Sequence, residues 1–83
     1  MLENAFCAEV IIGGEHLRLF SEDGPLGVQA SVYNLTAKNW VAPSEAVNDI
    51  EEGKDRATAH ATVYLRVLNT ELPPIIWKKS RSV

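Results

Sequence analysis

The chain has 83 residues, of which 46% are hydrophobic and 23% charged, and its net charge is −3. Such a composition belongs to a globular protein close to the smallest size that holds its own core, and it excludes a disordered chain. A single cysteine excludes an internal disulfide, and no apolar run reaches the roughly 18 residues of a membrane-spanning helix.

The charge is unevenly spread. Lys78, Lys79 and Arg81 fall in the last six residues, so residues 1–77 hold 11 acids against 5 bases. An acidic body does not attract phosphate backbones, although the basic tail over residues 77–83 could touch one. The reading is one domain over residues 1–83. Met1-Leu2-Glu3-Asn4 lacks the basic start and apolar run of a secretory signal, so a cytoplasmic protein is expected. Asn34-Leu35-Thr36 then matches a glycosylation triplet by chance.

In chain order, the first signal is Gly13-Gly14 between Ala5–Ile12 and Glu15–Phe20. A two-glycine loop supplies the positive φ that a tight hairpin needs, and it fixes the register. Counting outward pairs Ile12 with Glu15, Ile11 with His16, Val10 with Leu17, Glu9 with Arg18, Ala8 with Leu19 and Cys7 with Phe20. Val10, Leu17, Ala8 and Leu19 then share one face, and the opposite charges Glu9 and Arg18 meet on the other. Ser21–Gly27 reads as a loop, and Val28–Leu35 alternates as a third strand with one buried face.

After polar Thr36–Asn39, Trp40-Val41 extends the sheet briefly. Pro43-Ser44-Glu45 then predicts a helix start, with Ser44 as the cap. Gly53 stops or bends that helix. Ala57–Val67 fits two patterns. As helix, Ala57, Ala61, Tyr64, Leu65 and Leu68 form a stripe, with Glu52 and Arg56 as an i,i+4 pair. As strand, Ala57, Ala59, Ala61, Val63, Leu65 and Val67 alternate with polar residues. The alanines incline the reading towards helix, and the alternative stays open. Pro73-Pro74 ends this element, and Ile75–Lys78 reads as a last edge strand. The predicted fold class is α+β, an antiparallel three- to four-stranded sheet in the order β-β-β-α-β with one helix on one face.

Chemistry is less well marked. Cys7 lies four strand steps from His16, at about 3.4 Å per step, too far for a thiol–imidazole pair. His16 and His60 lack paired metal-ligand spacing, so neither a metal nor a cofactor is expected. Asp49, Glu51, Glu52 and Asp55 alternate with Asn48, Lys54 and Arg56 and read as a solvated helix face. The glycines match no phosphate loop, and no serine sits in a nucleophile elbow. Trp40 and Trp77 are expected in the core.

A surface is the better candidate. The face opposite the helix presents Cys7, Glu9, Ile11, His16, Arg18 and Phe20, joined by Gln29, Ser31 and Tyr33. Apolar area around one specific ion pair suits a protein–protein contact. The expected function is therefore non-catalytic binding or regulation. The chain would self-associate, as a dimer, through Cys7, Glu9, Ile11, Arg18, Phe20 and Tyr33 or through the Ile75–Lys78 edge; another protein partner is the variant of this reading. Nucleic-acid binding through Arg18, Lys78, Lys79 and Arg81 is the alternative. A sheet backed by a helix is similar, at the level of fold, to DNA-binding domains such as integrase arms, which read a groove with the sheet. That resemblance implies several basic residues on the exposed face, where the first three strands hold only Arg18. The β-β-β-α-β order is also similar to that of HicB-type antitoxins, with no diagnostic residues to carry over.

Overall fold

The fold is given by a computed structural model, which describes residues 4–79. It contains β1 (Asn4–Ile12), β2 (Glu15–Gly24), β3 (Gly27–Asn34), β4 (Asn39–Val47), α1 (Ile50–Val67) and β5 (Lys78–Lys79). The strands form one antiparallel sheet in the order β4-β3-β2-β1-β5, and α1 packs on one face. This is an α+β fold with five strands, one more than the upper end of the sequence expectation.

The β1–β2 hairpin has the register that the double glycine dictates, from Ile12↔Glu15 to Cys7↔Phe20. Gly13 and Gly14 have φ of 58° and 80°, in the left-handed region that side chains avoid. The predicted Ser21–Gly27 loop is mostly strand. Ser21↔Ala30, Glu22↔Gln29 and Asp23↔Val28 continue the ladder, and only Pro25-Leu26 turn between Gly24 and Gly27. Proline at the second position and glycine at the fourth are the residues a tight turn favours.

The largest correction lies in residues 39–47. Pro43-Ser44-Glu45 does not start a helix; it belongs to β4. The strand tolerates proline for two reasons. It is the edge of the sheet, and its pairing is irregular: Ala30 faces Glu45, Val32 faces Ala42 and Tyr33 faces Trp40. Two residues, Pro43 and Ser44, therefore oppose one on β3, and Val41 is a second extra residue. Prolines in sheets are confined to such edges and bulges.

The helix starts later, and its cap is a different residue. Asp49 is the N-cap, its side chain accepting from the Glu52 amide at 2.8 Å. The Glu52 carboxylate reaches back to accept from the Asn48 amide at 2.8 Å. The first bond satisfies an amide that the first turn leaves without a partner, and the second ties the residue ahead of the cap to that turn. Asp49→Ala should cost about 1 kcal/mol in a urea titration, the usual value of a cap. At the other end Asn69, at φ 59°, reverses the chain. Its amide donates to Arg66 O and that of Thr70 to Leu65 O, which closes the last turn.

Ala57–Val67 is helical, so the strand pattern in that segment is coincidental. Gly53 neither stops nor bends α1. It is the first of four buried residues, Gly53, Ala57, Ala61 and Leu65, spaced four apart on the face that meets the sheet. Small side chains bring the first turns close to β2 and β3, and Leu65 fills the wider end. The core beneath is Val10, Leu17, Leu19, Val32 and Leu65, all fully buried.

The predicted Ile75–Lys78 strand is displaced, since only Lys78 and Lys79 pair with β1. Residues 70–78 run back beside β1, from Thr70 near Gly13 to Lys78 opposite Cys7. Leu72, Ile75 and Trp77 pack on the core from there. Pro73 and Pro74 have no amide to donate, which confines the ladder to β5. Lys54 is half-buried on α1. It leaves the helix sideways and holds its ammonium 4.4 Å from the Phe6 ring centroid and 6.0 Å from that of Trp77.

Candidate functional site

Because α1 covers one face only, alternation along the strands decides which side chains the other face presents. Two rows run across it. One is Lys78–Cys7–Phe20–Ser31, from β5, β1, β2 and β3. The other is Glu9–Arg18–Tyr33–Trp40 and crosses all four long strands. Ile11 and His16 pair at the hairpin end. The six residues proposed for a contact, Cys7, Glu9, Ile11, Arg18, Phe20 and Tyr33, thus share one face.

The polar centre is Glu9. Its Oε1 accepts from Arg18 Nη2 at 3.0 Å and lies 2.7 Å from His16 Nε2. Arg18 stands directly across the ladder and His16 on the diagonal, both within cross-strand reach. The hydrogen bonds from Arg18 and His16 hold the Glu9 carboxyl below its usual range. The pair is open to solvent, so it directs geometry more than it stabilises the fold.

The apolar part of the face is graded. Ile11 is 73% exposed and Trp40 53%, whereas Phe20 and Tyr33 are half-buried by their neighbours. Tyr33 and Trp40 meet edge to face, with centroids 4.9 Å apart at 75°. Ser31 is buried between Phe20 across the ladder and Tyr33 two residues on. Trp40 is not the core residue that the sequence suggested. It lies in β4, where the expected sheet extension at Trp40-Val41 is found, and its pairing with Tyr33 puts it on this face.

The remaining candidates lie elsewhere. Lys78 and Lys79 sit on β5 beside Cys7 and Phe6, with Arg18 one strand further in and bound to Glu9. Arg81 lies outside the described residues. Glu52 and Arg56 do not pair. Arg56 Nη1 donates to Glu45 Oε2 at 2.6 Å, and His60 Nε2 lies 3.0 Å from Glu45 Oε1. Glu45 is free to do this because it stands on β4 facing the helix. Those neighbours hold the Glu45 carboxyl low, the His60 hydrogen bond first.

The expected solvated acidic face is found: Asp49, Glu51 and Asp55 are exposed and Glu52 is half-buried, with Asp49 and Glu52 capping the helix and Glu51 meeting Lys54 at 3.3 Å. Among the described residues, no three His, Cys, Asp or Glu side chains converge as metal ligands. A shallow hollow of about 220 Å³ lies at the edge of the open face, against Cys7, Glu9, Ile76 and Lys78. No helix among the described residues is long and apolar enough to cross a membrane. Comparison of the chain with family models, with characterised proteins and with solved structures gives no match.

Proposed function

We propose that the protein is a non-catalytic binding protein that self-associates through its open sheet face. The observation that carries this reading is the row Glu9–Arg18–Tyr33–Trp40. Arginine, tyrosine and tryptophan are the residues that dominate contact energetics between proteins. Here the arginine is already oriented by a carboxylate, and the aromatic pair is already in edge-to-face contact. Less side-chain freedom is lost when such a surface is covered.

A second copy is the partner this face fits. The ion cluster offers one acid and one always-charged base, so a two-fold contact can place Glu9 of one copy against Arg18 of the other. A small chain also gains most by covering a face, at about 25 cal/mol per Å² of apolar surface. The far edge is poorly suited to strand addition, because Pro43 and two bulges interrupt β4.

Trp40→Ala tests the reading. Trp40 is largely exposed, so urea unfolding of the dilute chain should change little. Association measured by sedimentation should weaken at least tenfold, as expected for an aromatic anchor worth about 2 kcal/mol. Unaltered association would remove Trp40 from the contact. Phe20→Lys should act in the same direction by placing an unpaired charge under the covering copy.

A further inference from the structure

Resting on the self-association reading above, we infer that the contact is switched by protons through His16, with the neutral imidazole favouring the associated form. Glu9 Oε1 is shared by two donors, Arg18 Nη2 at 3.0 Å and His16 Nε2 at 2.7 Å. With the imidazole neutral, one carboxylate and one guanidinium balance. Protonating it leaves one positive charge in excess on each face. A free chain tolerates this because His16 and Glu9 side chains are 31% and 46% exposed. A two-fold contact removes that water and brings both excess charges into one interface, where an uncompensated charge is costly.

Among the described residues, no other group near His16 cancels the excess. Glu9 is its only acidic neighbour from β1, and Arg18 on its own strand is a second base. Glu15, next in sequence, points to the other face, where its carboxylate accepts from Tyr64 Oη. On the β3 side the His16 amide donates to Thr36 Oγ1, and the charged residue of that turn is Lys38, a further base. Glu9 does not take up the proton itself, because Arg18 and His16 hold its carboxyl low.

The direction of the effect is diagnostic. Histidine changes charge between about pH 5 and 8. The chain carries −3 at pH 7 and its isoelectric point is ≈ 5.2. Acidification therefore removes net repulsion, and unspecific association would rise. The His16 switch runs the other way. Each proton that association must release weakens it about tenfold per pH unit below the titration, and a symmetric dimer releases two.

Sedimentation equilibrium of the full chain at about pH 7.5 and about pH 5.5, a window in which histidine titrates, tests this. His16→Gln keeps a neutral donor, and His60→Gln removes the histidine bound to Glu45. Circular dichroism checks that each variant is folded. The expected result is association at the higher pH, falling by a factor of ten or more at the lower one in the wild type and His60→Gln, but not in His16→Gln. Equal association of the wild type at both values overturns the switch and leaves the contact standing. A parallel loss in wild type and His16→Gln also overturns it, assigning the proton elsewhere. A single-chain mass at both values overturns the contact itself, and the switch with it.

Discussion

Gly53→Ala should destabilise the fold severely, although it replaces glycine by the best helix former. In a solvent-facing helix the exchange would gain about 1 kcal/mol. Here Gly53 is buried against β2. An added Cβ would overlap Ser21 Oγ, lie 3.1 Å from Ser21 Cβ and lie 3.4 Å from Val47 Cγ2. Ser21 cannot simply turn away, because it is fully buried and its hydroxyl donates to Ile50 O at 2.8 Å. Either that bond breaks or α1 lifts off the sheet. Overpacking and a lost buried hydrogen bond together cost about 2–4 kcal/mol net, a large part of the stability of so small a chain. The second-site test is specific. Ser21→Ala leaves its own Cβ in the way and should rescue only partly, whereas Ser21→Gly combined with Gly53→Ala should recover most of the loss. Urea midpoints of the four chains check it. A stabilising Gly53→Ala would mean that the helix does not approach β2 as described.

The second large effect is expected at Asn34, fully buried on the helix side of β3. Its Nδ2 donates to Tyr64 Oη at 2.9 Å and to Glu15 Oε1 at 3.4 Å, and its Oδ1 accepts from the Ala37 amide at 2.9 Å. Tyr64 Oη in turn donates to the same Glu15 oxygen at 2.5 Å. This network joins the helix to two strands and to the turn that leads into β4. Asn34→Leu leaves the Ala37 amide without its partner, takes from Tyr64 Oη the bond it accepts while its own bond to Glu15 remains, and sets an apolar group beside a carboxylate, at a cost of about 2–4 kcal/mol. Tyr64→Phe removes one donor and should cost about 1–2 kcal/mol. The network also fixes a pH dependence. The hydrogen bond to Glu15, followed by burial, raises the Tyr64 phenol above its ordinary value of 10.0. Its contribution is complete below that value and is lost as the pH rises through the folded-state titration. Wild type should therefore lose stability above pH 10 more steeply than Tyr64→Phe, measured by urea titration across that range.

What could be read from the chain was what local physics decides. Gly13-Gly14 fixed a hairpin register because loop length and φ leave no freedom, and the inward and outward sets followed from that count. Within residues 39–47 the sheet is legible at Trp40-Val41 and not beyond, because Pro43, Ser44 and Glu45 each favour a helix start on their own. What overrides them is non-local: β3 offers an edge, and two bulges absorb the proline. The correct cap pattern, Asp49 followed three residues later by Glu52, was present in the sequence but stood behind the more obvious proline.

Gly53 shows the same limit in reverse. Nothing near it in sequence reveals that Ser21 lies across from it. The candidate face was legible from the first three strands, including Glu9 opposite Arg18. The same count places His16 on that face, two residues from Arg18, while its bond to Glu9 on the diagonal comes only from the structure. Trp40-Val41 reads as a brief extension of the sheet, but the side on which Trp40 stands follows only from the β3–β4 register, and with it the row acquires its outer aromatic.

The central claim is that the open sheet face, with Glu9–Arg18–Tyr33–Trp40 across it, is covered by a second copy. Sedimentation equilibrium of the 83-residue chain at neutral pH, over concentrations up to millimolar, tests it most directly. The account predicts a mass rising with concentration to twice that of one chain and no further, and a clear shift of that rise in Trp40→Ala. A mass that stays at one chain across the whole range would contradict it.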